Sequence, residues 1–358
     1  MRILQICSAH TVGGGETHLI DLSNSLADLG HDIFAALPPG SPVKPSLTLP
    51  EKNFLETNLR NAIDIKSAIE VAKFAKDNDI DLLHAHVGRD YPLAALASRL
   101  SKVPYVLTRH VLFPLKRLQK ITLKNVGGVI APSQAIADAV RNQQLFPPEK
   151  IETILHGINI EHFSSDFKTG NGMFTVGTVG HLSPIKGIDI FARAAKLVLE
   201  KQPEIRFVVV GEDKAATGKN RKEIENLITR LKIQDQVELA GWTDDIRPFF
   251  QDFDLFVSSA REEPFGLVMV EAMASKTPVL ATRNQGALEI IEDGTSGLLV
   301  ALNDPKMLAA KVLELYEDRE LLNRIALNGY QRALQSFSLD KMVKRTVRFY
   351  ESVLRQSA

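Results

Sequence analysis

The chain has 358 residues, 44% of them hydrophobic, and this length exceeds what one hydrophobic core usually fills, so we expect two domains. The chain has 43 basic residues (lysine and arginine) and 43 acidic residues (aspartate and glutamate). This balance excludes a net positive electrostatic field that would attract nucleic acid. The one cysteine, Cys7, excludes an internal disulfide, and no apolar run reaches the roughly 18–20 residues of a membrane span. These features predict a cytoplasmic protein.

Short apolar segments of strand length alternate with longer amphipathic segments over the first 157 residues. The first strand, within residues 2–6, leads into three glycines at 13–15 and then into a helix whose leucines recur at helical spacing up to Gly30. Further strands are predicted at residues 32–37, 81–86, 105–110 and 127–133. Alternation of strand and helix at this spacing predicts an α/β domain with a parallel, doubly wound sheet over residues 1–157.

The same pattern restarts after residue 157 and predicts a second Rossmann-like, doubly wound domain over residues 172–340. The polar segment 161–172 is interpreted as a linker, and residues 341–358 are predicted to form an amphipathic helix that packs back on the first domain. Two such domains that face each other would leave a cleft at the carboxyl ends of both sheets, where ligands bind in doubly wound folds.

Glu271 lies inside the apolar run 267–274, where a bare carboxylate is costly unless it is paired, protonated or hydrogen-bonded. The chain turns through residues 261–266 after a predicted strand, and a helix is predicted to begin near Leu267. A helix N-terminus attracts phosphate, and a carboxylate one turn further in can accept hydrogen bonds from a vicinal diol such as ribose. The alternatives for Glu271 are an internal salt bridge or a solvated position at the edge of the helix.

Glu263 and Glu271 stand eight residues apart in a segment that resembles the E-x7-E signature of the retaining glycosyltransferases of family 4, also called glycosyl transferases group 1. Other landmarks of that family occur in order along the whole chain. They are the glycine run from Gly13, His110, and the segments 131–138, 154–163, 179–189, 208–212 and 239–246. The resemblance implies a GT-B fold, in which two Rossmann-like domains face each other across a cleft, and transfer of a sugar with retention at the anomeric carbon.

The resemblance also implies how the donor diphosphate is held. Gly13 and Gly14 would let the backbone approach the diphosphate, because glycine has no Cβ in the way. Lys186 would neutralise the diphosphate as it leaves. Without the resemblance, Gly13 and Gly14 could equally form an ordinary turn. Lys186 could equally be a solvated surface residue.

Three acidic or imidazole side chains complete the implied site. His110 and Glu263 would contact the donor sugar, and Glu271 would hold the ribose, although a lone histidine at a strand end is also a common structural residue. The predicted catalytic set is His110, Lys186 and Glu263. The remaining predicted donor-binding positions are His181, Gly211, Phe265, Gly266 and Leu267.

His181 is a departure from the family pattern, which commonly has arginine five residues before the lysine. Arginine is always charged and grips phosphate through two hydrogen bonds, whereas histidine is mostly neutral at pH 7. Diphosphate binding would then depend more on Lys186, on the helix N-terminus and on a nearby arginine such as Arg261. We expect His181 to be protonated beside the bound diphosphate.

Two D-x-D sequences, at residues 79–81 and 252–254, have the pattern by which other glycosyltransferases hold a divalent ion. Both directly precede apolar strand segments, so we expect them at strand beginnings, opposite the ligand-binding edge. We interpret them as chance occurrences. The resemblance likewise implies no metal, and no cofactor beyond the nucleotide-diphosphate sugar that serves as donor.

Residues 109–124 contain basic residues interleaved with apolar ones and no acidic residue. Such a stretch can lie on an anionic membrane, and the alternative is a packed helix with a solvated cationic face. Many members of the family glycosylate lipid-linked acceptors from the cytoplasmic side. We therefore expect a peripheral contact with the inner face of the plasma membrane, and a glycan or lipid-linked acceptor in bacterial lipopolysaccharide, glycolipid or surface polysaccharide synthesis.

The sequence thus predicts a metal-independent, retaining glycosyltransferase of the hexosyltransferase type. Two alternatives stay open: a sugar-nucleotide epimerase of GT-B architecture, and a non-catalytic binder of nucleotide sugars. The E-x7-E segment together with the Lys186–Gly187 turn favours the transferase. The donor base stays open among uridine, guanosine and adenosine.

Overall fold

A computed structural model describes residues 1–60, 64–115, 119–165, 172–213, 215 and 217–357. The chain divides into two compact units, the first formed by Met1–Gly157 with Leu339–Ala358 and the second by Ile158–Ser338. Part of the predicted linker is helical, since residues 161–163 belong to a short helix of the second unit. Residues 166–171 of that predicted linker lie outside the described residues.

The first unit contains one sheet of seven parallel strands. The strands are β1 (Arg2–Ile6), β2 (Asp32–Leu37), β3 (Phe54–Glu56), β4 (Leu82–Ala85), β5 (Tyr105–Thr108), β6 (Gly128–Ala131) and β7 (Ile151–Thr153). The helices between them are α1 (Gly14–Asp28), α2 (Ile65–Asp77), α3 (Tyr91–Ser101), α4 (Gln119–Thr122) and α5 (Gln134–Asn142). The strand order β3-β2-β1-β4-β5-β6-β7 reverses direction between β1 and β4, the point where doubly wound sheets open for a ligand.

The second unit contains a sheet of six parallel strands with the same winding. Its elements in chain order are α6 (Ile160–Phe163), β8 (Thr175–Val179), α7 (Ile188–Leu199), β9 (Arg206–Val210), α8 (Lys219–Leu231), β10 (Val237–Gly241), α9 (Arg247–Asp252), β11 (Leu255–Ser258), α10 (Leu267–Ala274), β12 (Val279–Thr282), α11 (Gln285–Ile290), β13 (Leu298–Val300), α12 (Pro305–Glu317) and α13 (Arg319–Ser336). The strand order β10-β9-β8-β11-β12-β13 reverses between β8 and β11. Two Rossmann-like α/β sheets are therefore present, as the sequence predicts.

Both D-x-D sequences lie directly before strands, β4 and β11 respectively, as predicted. The Asp81 carboxylate accepts a hydrogen bond from the backbone N–H of Arg2 at 2.7 Å, at the start of β1. The Asp254 carboxylate accepts one from the backbone N–H of Thr175 at 2.8 Å, at the start of β8. These carboxylates satisfy backbone donors at the amino edge of each sheet, the edge away from the strand ends that bind ligands.

The last helix of the chain, α14 (Leu339–Ser357), belongs to the first unit. Its apolar face packs against α1 and the sheet, where Met342, Val343, Tyr350 and Val353 join a cluster of buried residues from β1, α1 and β5. The hydroxyl of Tyr350 lies 2.6 Å from Nδ1 of His84, and Nε2 of His84 lies 2.7 Å from Oγ1 of Thr108. This hydrogen-bonded pair fixes α14 on β4 through polar atoms as well as apolar contact.

Among the helices that the structure describes, none has the length and apolar character needed to span a bilayer.

The Tyr350–His84 contact gives a direct test of how α14 is held. Tyr350→Phe removes only the hydroxyl and leaves Nδ1 of His84 buried without its partner, so the free energy of unfolding should fall by about 1–3 kcal/mol. Urea denaturation of the full chain measures this change. Tyr330→Phe, on α13 and half-buried, is the matched control and should change stability by much less. Equal midpoints for the two variants would contradict the role given to the Tyr350 hydroxyl.

Candidate active site

The candidate site of the second unit lies where the loops after β8 and β11 meet. The first loop ends in a short 3-10 turn, Pro184–Lys186, and the second carries Glu263 towards α10. Nζ of Lys186 lies 2.5 Å from Oε2 of Glu263, and the two side chains are 26% and 15% exposed. Two predicted catalytic residues that are distant in the sequence thus form an ion pair at the edge where the strand order reverses.

Arg261 joins the two loops. Its backbone N–H donates to the carbonyl of Ile185 at 2.7 Å, and its guanidinium donates to the carbonyl of Pro184 and to both carboxylate oxygens of Asp189 on α7. Burial raises the pKa of Asp189, but the hydrogen bonds and charge of Arg261 outweigh it and hold that pKa below its usual value. The guanidinium of Arg261 thus ties the loop to α7 through Asp189, and its assistance at the diphosphate stays a prediction.

Gly187 is where the two loops come closest. Its φ of 65° is in the left-handed region, and a Cβ at this position would overlap the carbonyl oxygen of Ser259. The hydroxyl of Ser259 donates to the carbonyl of Gly187 at 2.9 Å. Only glycine allows this approach, which fixes the position of Lys186 relative to β11.

The predicted donor-binding residues near α10 differ in how far their side chains are buried. Gly266 is the N-cap of α10 and has a φ of 103°. The ring of Phe265 is buried, with its centroid 5.8 Å from that of Phe337. Leu267 begins the helix, and Glu271 lies one turn further in and is half-buried. A half-buried Glu271 leaves the three interpretations open: a diol-binding carboxylate, an internal salt bridge, and a solvated position at the helix edge.

His181 and Gly211 lie at the carboxyl ends of neighbouring strands, β8 and β9. Gly211 directly follows β9, and its N–H donates to the carbonyl of Gly241 at 2.7 Å. The ring of His181 lies parallel to that of Trp242, with centroids 6.2 Å apart and an interplanar angle of 5°. Trp242 is 54% exposed and was not selected from the sequence as a site residue. The protonation of His181 stays a prediction.

The first unit brings Gly13, Gly14 and His110 to the carboxyl edge of its sheet. The N–H of Gly13 donates to Oε2 of Glu16 at 3.0 Å, which closes the turn at the start of α1. A Cβ on Gly15 would lie 3.2 Å from Cγ of His110, so the glycine run rests on the His110 ring. Burial lowers the pKa of His110 well below its usual value, so its imidazole is neutral at neutral pH.

Four further histidines lie near His110, and none of them was predicted from the sequence as a site residue. They are His18, His84, His86 and His156, all buried. His84 and His86 occupy alternate positions at the end of β4, and His110 follows β5. Because neighbouring parallel strands end at the same edge, histidines at strand ends were the available signal for this cluster.

Two family models match the chain, one in each half. The model described as Glycosyltransferase Family 4 matches residues 12–162, and the model described as Glycosyl transferases group 1 matches residues 159–332. The first range contains strands β2–β7 of the first sheet, and the second range contains all six strands of the second sheet.

Known proteins of this class resemble the chain over most of its length. It is 30% identical over 287 residues to an uncharacterized glycosyltransferase of Methanocaldococcus jannaschii, with 76% of each protein covered. It is 27% identical over 338 residues to the lipopolysaccharide core biosynthesis glycosyltransferase LpsE of Rhizobium meliloti, with 91% of this chain and 92% of LpsE covered. The crystal structure of HepE of Anabaena in complex with UDP superposes with a TM-score of 0.87 and 25% identity, over 98% of this chain and 100% of HepE.

The fold and the matches define a glycosyltransferase of GT-B architecture. The chain belongs to the glycosyl transferases group 1 family. The predicted fold class and family are confirmed.

The closeness of the two loops can be tested at Gly187. Alanine there adds a Cβ that overlaps the Ser259 carbonyl, in addition to the left-handed strain of about 1–2 kcal/mol. Gly294→Ala is the matched control, because Gly294 also has a positive φ, of 76°, but a Cβ there meets nothing within 4 Å. In urea denaturation of the full chain, the free energy of unfolding should fall by about 1–3 kcal/mol more in the Gly187 variant than in the control. Equal losses would mean that the loops have room to separate.

Proposed function

We propose that the chain transfers a sugar from a nucleotide-diphosphate donor to an acceptor hydroxyl, with retention and without a metal ion at the diphosphate. The observation that carries this proposal is the Lys186–Glu263 ion pair at the N-terminal side of α10. HepE of Anabaena, a relative of the same fold, was crystallised with UDP, which supports a nucleotide sugar as donor.

The ion pair suggests how the site changes when a donor binds. Both side chains are mostly buried, so each charge needs a partner before the donor arrives, and each supplies it to the other. An incoming diphosphate offers Lys186 a second anion. Glu263 then becomes available to accept hydrogen bonds from the donor sugar, while the lysine remains positioned to stabilise the charge that builds up on the leaving diphosphate.

His110 acts in this proposal as a neutral hydrogen-bonding group. Since burial keeps its imidazole uncharged, it can exchange a hydrogen bond with a sugar hydroxyl but contributes no positive charge to the leaving group. The Gly13–Gly15 turn packs beside it and offers backbone N–H groups at the same strand edge. In this proposal His110 orients the sugar, and Lys186 stabilises the charge.

We place the acceptor in bacterial lipopolysaccharide, glycolipid or surface polysaccharide synthesis, since LpsE bears a name from lipopolysaccharide core biosynthesis. The basic stretch 109–124 would provide a contact with anionic lipid. Arg109 is removed from that surface, because its guanidinium is buried and donates to the carbonyl of Phe113. Lys116 and Arg117 lie outside the described residues, so the lipid contact rests on the sequence pattern.

The transferase reaction can be tested through Lys186. Release of nucleoside diphosphate should be measured from UDP-, GDP- and ADP-sugars, with and without a bacterial glycolipid extract. The extract should stimulate release of nucleoside diphosphate from one of these donors. For that donor, Lys186→Ala should lower kcat by a factor of about 10²–10³, because the variant loses a positive charge next to the leaving group. Lys196→Ala, an exposed-face lysine of α7 paired with Glu200, is the control and should keep full activity.

Two other outcomes would contradict the transferase. A change in the donor's sugar configuration without release of diphosphate would identify an epimerase. A nucleotide that raises the melting temperature while no donor is turned over would identify a binder. Both measurements use the same protein and the same donors.

The proposed lipid contact can be tested by co-sedimentation with anionic vesicles. The chain should pellet with them at low salt and be released as salt screens the charges. The triple variant Lys116→Gln, Arg117→Gln, Lys120→Gln should lose most of this binding. The control carries Lys201→Gln, Lys219→Gln and Lys222→Gln, three exposed lysines of the second unit with the same total change in charge. No sedimentation at low salt, or equal losses in both variants, would exclude the contact.

A further inference from the structure

Five buried or half-buried histidines of the first unit form one cluster. They are His18, His84, His86, His110 and His156. The ring centroid of His18 lies 5.8 Å from that of His86 and 5.1 Å from that of His110. The ring centroids of His86 and His110 lie 5.9 Å apart. One ring nitrogen from each of these three residues lies within 4.8 Å of the other two. This spacing brings three potential ligand atoms around one point.

The hydrogen bonds of the cluster leave at least one nitrogen of each of these three rings without a partner among the described residues. His84 uses both of its nitrogens, on Thr108 and Tyr350. Nε2 of His86 lies 2.8 Å from Oε1 of Gln5, whereas its Nδ1 has no hydrogen-bond partner among the described residues. Within the same part of the chain, neither nitrogen of His18 or of His110 has one. Buried polar atoms normally have a partner, so three facing rings with free nitrogens indicate a missing ligand.

Imidazole binds a metal ion in its neutral form, through the lone pair of one ring nitrogen.

We propose that His18, His86 and His110 together bind one divalent transition-metal ion, with Zn²⁺ as the first candidate. Three imidazole nitrogens with no carboxylate suit Zn²⁺ and its neighbours rather than Mg²⁺ or Ca²⁺, which prefer oxygen ligands. Three protein ligands leave the fourth position of a tetrahedral ion open.

Gln5 contacts His86 and orients its ring within this site. When Nε2–H of His86 donates to the side-chain oxygen of Gln5, the lone pair is on Nδ1, the nitrogen without a hydrogen-bond partner among the described residues. A carbonyl oxygen that fixes the tautomer and orientation of a ligating histidine is the usual partner of metal-binding imidazoles. Gln5 is fully buried in β1, so its side chain is held in place.

The ion would enter from the side of His110. His18 and His86 are buried, at 2% and 4% exposure, whereas His110 is half-buried beside the glycine run. A bound ion would occupy a nitrogen of His110 that the proposed function gives to the donor sugar. Zinc should therefore slow sugar transfer, a consequence that rests on the proposed function, whereas the binding site itself does not.

Calorimetric titration of the metal-free full chain with ZnCl₂ tests the site. We expect one equivalent to bind, and His18→Gln and His110→Gln each to weaken binding by at least about tenfold. His10→Gln, an exposed histidine just before the glycine run, is the control and should bind as the wild type does. Gln5→Leu should weaken binding by roughly 10–100-fold through loss of the support of His86.

Spectra of the wild-type chain with Co²⁺ keep the test independent of any variant that fails to fold. Tetrahedral absorption bands that Zn²⁺ removes would support the three-histidine site. Absence of saturable Zn²⁺ binding to the wild type, or binding that His18→Gln and His110→Gln leave unchanged, would overturn it.

An activity assay separates this proposal from the transferase proposal. Zinc binding with slower transfer, relieved in His18→Gln, supports both. Zinc binding without any effect on transfer leaves the metal site standing and removes the role of His110 at the sugar. Transfer that depends on Lys186, in a chain that does not bind zinc, overturns the metal site alone.

Discussion

The contact between the loops after β8 and β11 is the constraint on which the candidate active site depends. Lys186 and Glu263 are 77 residues apart in the chain, so only the packing of these loops brings their charges together. Three contacts enforce it: the approach of Gly187 to Ser259, the backbone hydrogen bond from Arg261 to Ile185, and the double hydrogen bond from the Arg261 guanidinium to Asp189. A preformed charge stabilises a leaving group without reorganisation, which is the usual basis of such catalysis.

The carboxylate within the apolar run of α10 follows from the geometry of a short helix. Residues 269, 270 and 272–274 are buried, whereas Leu267, Val268 and Glu271 are half-buried. Positions i, i+1 and i+4 share one side of a helix, so Glu271 lies on the less buried side. Val268 on this side lines the same small pocket as Lys186 and Glu263. The run is apolar because most of the helix is core, and its single carboxylate lies on the less buried side.

Local pattern and motif predicted both sheets, the family and the Lys186 and Glu263 positions, because each of these depends on residues close in sequence. The short strands β3 and β7, of three residues each, escaped prediction, since three residues hold too little periodicity. The bond between Arg261 and Asp189 was not predicted, because the two residues are 72 positions apart in the chain. The histidine cluster was missed for the same reason, since α1, β4 and the loop after β5 meet only in the folded sheet.

The two sheets present different chemistry at their carboxyl edges. In the first unit the edge holds glycines and neutral imidazoles, which can bond a hydroxyl or bind a metal ion but cannot neutralise an anion. In the second unit the edge holds the Lys186–Glu263 ion pair. Under the proposed function, stabilisation of a departing diphosphate needs fixed positive charge, and of these two sets of side chains only the second holds a lysine. A metal ion at the histidines would leave the charge of Lys186 unchanged.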